Sequence, residues 1–147
     1  MSRTIRRAGS MAMGTTNYYH TFITAAPDAA AARGEEPKPG SVARLCLDLL
    51  QARPYGLTSD ELLFDVHARR HGVPEALRDE ARALFLARPQ ACLRASPLVK
   101  RHGWGLHHDA HGRVAAYGVE TTEYRTLAAA RDVTVVAGLR SRRAGQD

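Results

Sequence analysis

The chain has 147 residues, 44% of them hydrophobic and 24% charged, with a formal net charge of +6. This composition suits one soluble domain long enough to close a single core. No apolar run approaches the ~20 residues of a membrane span, and two cysteines, Cys46 and Cys92, make no disulfide framework, so a reducing cytoplasm is the expected location.

In chain order, residues 1–13 read as a disordered basic extension with Arg3, Arg6 and Arg7 but no apolar stretch of a secretory signal. Residues 14–138 are expected to form a single α+β domain, followed by a basic C-terminal tail at 139–147. Asn17–Thr24 is rich in aromatic and β-branched residues, which predicts a strand. Ala25–Gly40 is a Pro-, Gly-, Ala- and Glu-rich connection, expected to be exposed and loose. Ser41 is placed to cap a first helix with an apolar stripe of Val42, Leu45, Cys46, Leu49 and Leu50, which Pro54 ends. Thr58 and Glu61 have the spacing of a capping box for a second helix. It buries Leu62, Leu63 and Val66 and stops at Gly72. Pro74 opens a third helix, where Leu77, Ala81, Leu84 and Phe85 share a face, and Pro89 ends it.

A hairpin follows. Gly103–Asp109 and Arg113–Val119 flank Ala110-His111-Gly112, a loop that suits a type I turn with a glycine bulge. The implied register opposes His107 to Ala115 and Gly105 to Tyr117. Trp104, Leu106, Val114 and Ala116 then face the core, and His107, Asp109, Arg113 and Tyr117 face outward, with Tyr117 laid over Gly105. Thr121 starts a last short helix carrying Tyr124 and Leu127, and Val133–Ala137 reads as a final strand. The order predicts an α+β fold: a small, mainly antiparallel sheet of N-terminal strand, hairpin and C-terminal strand, packed with about four helices.

The positive charge is mostly terminal. Three charges lie in residues 1–13 and two at 138–147, where Arg140, Arg142 and Arg143 outweigh Asp147, leaving one for residues 14–137. Attraction of a polyanion through such tails is sequence-blind and salt-sensitive.

Several segments together resemble a known family of small bacterial proteins of unknown function. They are Thr15-Thr16-Asn17-Tyr18-Tyr19-His20-Thr21-Phe22-Ile23, Thr58-Ser59-Asp60, Cys92-Leu93-Arg94-Ala95-Ser96-Pro97-Leu98, Lys100-Arg101-His102-Gly103-Trp104-Gly105-Leu106-His107 and Tyr117-Gly118-Val119-Glu120. The resemblance covers about residues 14–143. Members start just before the Thr-Asn-Tyr segment, which agrees with reading 1–13 as an extension. The family implies no activity, cofactor or partner. His102 departs from its pattern, where a Tyr is more typical, and so does His108, where a small polar residue is.

The densest polar segment is 92–107. Arg94, Ser96, Lys100 and Arg101 lie beside a turn fixed by Pro97, and guanidinium, hydroxyl and backbone N–H groups are the types that hold phosphate or carboxylate. The competing reading has Arg94 paired inside the fold, with Lys100 and Arg101 facing water. Cys92 with His107 offers a thiol and a base, the minimum for nucleophilic catalysis. A small buried apolar Cys is the simpler alternative. His67 and His71 stand four apart on one helix, as in zinc helices. The residues between them are Ala68-Arg69-Arg70, which repel a cation, so no metal site is expected. Three helices before a hairpin also fit a winged-helix DNA-binding domain, yet the third helix sets Glu75, Asp79 and Glu80 against Arg78, Arg82 and Arg88. No dinucleotide, phosphate-loop or nucleophile-elbow motif is present, and no cofactor is expected. The expected function is a binding module for a small anionic ligand or a protein partner. Its site is expected at Arg94, Ser96, Lys100, Arg101, His107 and Tyr117, with Cys92/His107 catalysis and DNA binding as alternatives.

Overall fold

A computed structural model of the chain describes residues 15–141. The expected extension at 1–13 and the end of the expected tail, 142–147, lie outside the described residues. The described elements are β1 (Thr21–Thr24), α1 (Val42–Ala52), α2 (Ser59–His71), α3 (Arg78–Ala87), α4 (Pro97–Lys100), β2 (Trp104–His108), β3 (Val114–Gly118), α5 (Thr122–Ala129) and β4 (Thr134–Ala137).

The strands form one four-stranded sheet in the order β3-β2-β1-β4, so the expected α+β fold is the observed one. The β2–β3 and β1–β2 pairs are antiparallel and the β1–β4 pair is parallel. The hairpin register is the expected one, with Gly105 opposite Tyr117 and His107 opposite Ala115. Its turn closes through Gly112 N–H to Asp109 O at 3.1 Å, and Gly112 sits at φ +80°, a conformation that favours glycine. The Asp109 carboxylate accepts from His111 and Arg113 N–H at 2.8 and 2.9 Å, fastening the loop from inside.

Strand alternation divides the sheet into two faces. The inner face presents Ile23, Leu106, Val114 and His108, and the core forms there with Leu47, Leu50, Leu62, Leu93, Leu98 and Val99 from the helices and the turn before α4. Trp104 packs at its margin. The outer face carries Phe22, Gly105, His107 and Tyr117. Tyr124 of α5 covers its middle, the ring meeting Phe22 edge-on at 5.1 Å. The nearest cover over Gly105 comes from Phe22 and Tyr124, not from the expected Tyr117. A side chain at 105 would collide with Phe22 and Tyr124, so glycine is required by α5 packing.

The helix ends follow their sequence signals. Ser41 caps α1, Thr58 and Glu61 complete both halves of the capping box, and Gly72 closes α2 at φ +61°. The α1 stripe is rotated from its expected position. Ala43, Cys46, Leu47, Leu49 and Leu50 are buried, while Val42 is exposed. In α2, Phe64 is buried in place of Leu63 because it packs toward α3, against Phe85 at 5.9 Å and the Arg78 guanidinium at 5.1 Å. A 3-10 turn at Glu75–Leu77 precedes α3, and α3 contributes no buried residue. The expected apolar face of Leu77, Ala81, Leu84 and Phe85 is split: Phe85 packs on Phe64 and His67 of α2, while Leu77 and Leu84 are exposed to solvent.

Two connections differ from expectation for a common reason: polar side chains far apart in sequence tie them down. The strand expected from Asn17 begins at Thr21, because Thr15, Thr16 and Asn17 clamp the start of α2 instead. Thr16 N–H and Oγ1 donate to Asp60 Oδ1 at 2.7 and 2.8 Å, Thr15 Oγ1 donates to Oδ2 at 3.0 Å, and Asn17 Oδ1 accepts from Asp60 N–H at 2.9 Å. The 25–40 connection is fastened rather than loose: Gly34 N–H donates to Glu120 Oε1, and Trp104 Nε1–H donates to Glu35 O, both at 2.8 Å.

Candidate functional site

A hydrogen-bonded polar cluster on the outer face consists of Tyr55, His107 and Tyr117. His107 and Tyr117 reach it by strand alternation and the hairpin register. Tyr55 comes from the α1–α2 turn. Pro54 ends α1, and the turn then docks on the free edge of β3, where Tyr55 N–H donates to Val114 O and Val114 N–H donates to Leu57 O, each at 2.9 Å. This carries the Tyr55 ring around the sheet edge. Its hydroxyl lies 2.8 Å from His107 Nδ1 and 2.9 Å from the Tyr117 hydroxyl. Tyr55 has φ +57°, a left-handed backbone that disfavours a bulky side chain.

All three side chains are half-buried. Burial holds the His107 imidazole below the usual histidine range; Asp109 and Asp132 oppose that shift and His20 adds to it. Burial and the Tyr117 hydroxyl raise the Tyr55 phenol, so it stays protonated. A neutral imidazole has one donor and one acceptor nitrogen. The chain Tyr117–Tyr55–His107 accordingly has two polarities. With Tyr55 donating to Nδ1, His107 presents Nε2–H outward. With Nδ1–H donating to Tyr55, Nε2 becomes an acceptor and Tyr117 is free to donate. Among the described residues, Nε2 has no hydrogen-bond partner.

A second cluster lies on the inner face, behind the first. Tyr18 Oη donates to Cys92 Sγ at 3.2 Å, and the Tyr18 ring meets His108 edge-on at 5.3 Å. Burial raises the Tyr18 phenol, with Cys92 adding to the rise and Arg94 opposing it. His108 is fully buried, and among the described residues neither of its ring nitrogens has a hydrogen-bond partner. Burial pushes its pKa down to about 3.

The six sequence-chosen residues do not gather in one hollow. His107 and Tyr117 share the outer cluster. Arg94 and Ser96 belong to the turn whose Leu93, Leu98 and Val99 pack in the inner core. Arg94 Nε–H donates to Ala137 O at 2.7 Å and its carbonyl accepts from Leu139 N–H at 2.8 Å, so it staples β4. Ser96 Oγ caps α4, accepting from Leu98 N–H at 3.2 Å. Lys100 is the last residue of α4 and Arg101 follows it, exposed. The Cys92/His107 pair does not form: Cys92 bonds Tyr18, and His107 points through the opposite face.

The winged-helix comparison also fails at the hairpin, because β2 lies inside the sheet between β3 and β1 and is no free wing. His67 and His71 stack at 4.5 Å, but among the described residues no three His, Cys, Asp or Glu side chains are grouped to hold a metal. No described helix is long and apolar enough to cross a membrane. Sequence reasoning missed Tyr55, whose only local signal is its place between Pro54 and Gly56.

These features define a small α+β protein: a mixed sheet with helices packed on its inner face, α5 over the middle of its outer face, and a histidine–tyrosine cluster on that outer face. The chain belongs to DUF6157, a family of unknown function whose model matches residues 13–144. The match spans the segments that carried the family resemblance. No curated protein and no solved structure matches the chain.

Proposed function

We propose that the protein is a cytoplasmic binding module whose outer sheet face takes a small ligand bearing a carboxylate or phosphate. The observation that carries this reading is Tyr55: a bulky residue in a left-handed backbone, whose hydroxyl joins His107 and Tyr117 into one hydrogen-bonded chain. Strained residues concentrate where a side chain is needed in one place. In the polarity where Tyr55 donates to Nδ1, His107 Nε2–H is the donor offered to the ligand, and an anion there also favours the imidazolium, in which both nitrogens donate. Binding is therefore linked to proton uptake and tightens as pH falls. Both thiols, Cys46 and Cys92, are free, which supports a reducing compartment.

The test is an imidazole 1H–15N NMR titration of the full chain with sodium phosphate and sodium acetate, at pH 6.0 and 7.5. Shifts at His107 Nε2, larger at pH 6.0 and reduced by Tyr55→Phe, are expected. Unmoved His107 resonances at tens of millimolar of either anion, a concentration that covers even millimolar affinity, would remove the reading.

A further inference from the structure

We infer that helix α3 is a docking surface for a second copy of this chain, packed antiparallel about a two-fold axis at Leu84. Helix α3 buries no residue of its own. Leu84, 71% exposed, is the most exposed large apolar side chain among the described residues, and Leu77 is 49% exposed. Leu77, Ala81, Leu84 and Arg88 recur at the spacing of one helical stripe, with Glu80 at its edge.

Charge identifies the occupant. Glu80 and Arg88 stand four residues to either side of Leu84, and neither has an ion-pair partner among the described residues. An antiparallel copy centred on Leu84 sets Glu80 of each chain against Arg88 of the other, twice by symmetry. Leu84 meets Leu84 on the axis. Ala81 and Ala87, also paired by this operation, are small enough for the helices to approach at ~8–10 Å. Beside Leu84 lies a groove of about 750 Å³, bounded by Phe85, Arg88, Pro89 and Gln90. Leu77 of the other copy arrives there, about 10 Å from the axis at the helical rise. The outer sheet face takes no part, so this inference stands apart from the ligand reading.

A contact of one helix per chain is at the low end of specific interfaces, so association is expected only at tens to hundreds of micromolar. Sedimentation equilibrium of the full chain over that range is the measurement. The wild type is expected to dimerise and Leu84→Glu to remain monomeric, with unchanged thermal melting because the site is exposed. Glu80→Arg and Arg88→Glu each place like charges opposite at both symmetric positions and weaken dimerisation by about tenfold or more. The double swap E80R/R88E restores it. A wild type that stays monomeric throughout, or single swaps that weaken dimers with no recovery in the double swap, overturns the inference.

Discussion

His108 makes the fold acid-sensitive, and the size of the effect follows from its position. The imidazole lies on the inner face of β2, fully buried, with no hydrogen bond to either nitrogen among the described residues. Charging it there lacks solvent and partner alike. Burial is the main cause of its low pKa, His107 adds to it, and Asp109 opposes. The pKa falls from 6.5 in the unfolded chain to about 3 in the folded one. Below pH 6.5 the unfolded state therefore binds a proton that the folded state refuses. Stability from this group is intact above pH 6.5 and falls through the window down to about pH 3. The slope approaches about 1.4 kcal/mol per pH unit, which amounts to about 2.7 kcal/mol lost by pH 4.5, about 2.3 of it below pH 6.5. Against a typical domain stability of about 5–15 kcal/mol that is a large share.

The assay is urea unfolding followed by Trp104 fluorescence, at several pH values from 7.0 to 4.5, for the wild type and His108→Leu. Leucine approximates the volume and removes two unsatisfied nitrogens, so the variant is expected to be at least as stable at neutral pH. Asp109, whose carboxyl is held low by backbone N–H groups against the rise from its own burial, titrates in both proteins, as does His107. The difference between wild type and variant therefore isolates His108. That difference is expected to grow by about 2–3 kcal/mol across the range. A gap that stays constant would refute the reasoning and mean that the folded state accommodates the proton.

Three further outcomes test particular contacts. Arg94→Ala removes the donor to Ala137 O and is expected to cost about 1–3 kcal/mol, with faster amide exchange at Gly138 and Leu139 but not at Val114; a uniform change would show that Arg94 does not act on β4. Asp60→Ala breaks the clamp on Thr15 and Thr16 and is expected to lower stability by about 2 kcal/mol, measured in the same urea assay. Native iodoacetamide labelling is expected to modify Cys92 well before Cys46, whose thiol burial pushes up to about 12; equal rates would contradict the packing of α1.

Local chemistry was the legible part of the fold. A capping box, a left-handed glycine and a glycine-bulged turn each fix a few residues by short-range hydrogen bonds, and Thr58, Glu61, Gly72 and Gly112 do what their types and spacing imply. Faces were less legible. Helix α1 has apolar residues over a wide arc, so sequence periodicity leaves its rotation open by one position, and contact with the sheet selects Ala43 and Leu47 over Val42. The α3 pattern is that of a buried face, yet periodicity reports only that a face exists. Nothing in it says whether this chain or another covers that face. The start of β1 shows the same limit. Asn17 has neighbours of strand type, but its side chain serves a helix 43 residues away.

The candidate site divides along the same line. His107 and Tyr117 were readable because a tight turn sets the register and the register sets which side each residue faces. Arg94 and Ser96 are close to His107 in sequence but not in space, since the chain between them passes through α4 before entering β2. Tyr55 lies 52 residues from its imidazole partner and reaches it only because a turn docks on the edge of β3. A glycine at 55 would hold the left-handed backbone without steric cost. It would also leave Nδ1 of His107 and the Tyr117 hydroxyl without their common partner. The tyrosine therefore sets the strain of a left-handed backbone against two hydrogen bonds and an edge-on ring contact with His107 at 5.6 Å, which join His107 to Tyr117 on the outer face.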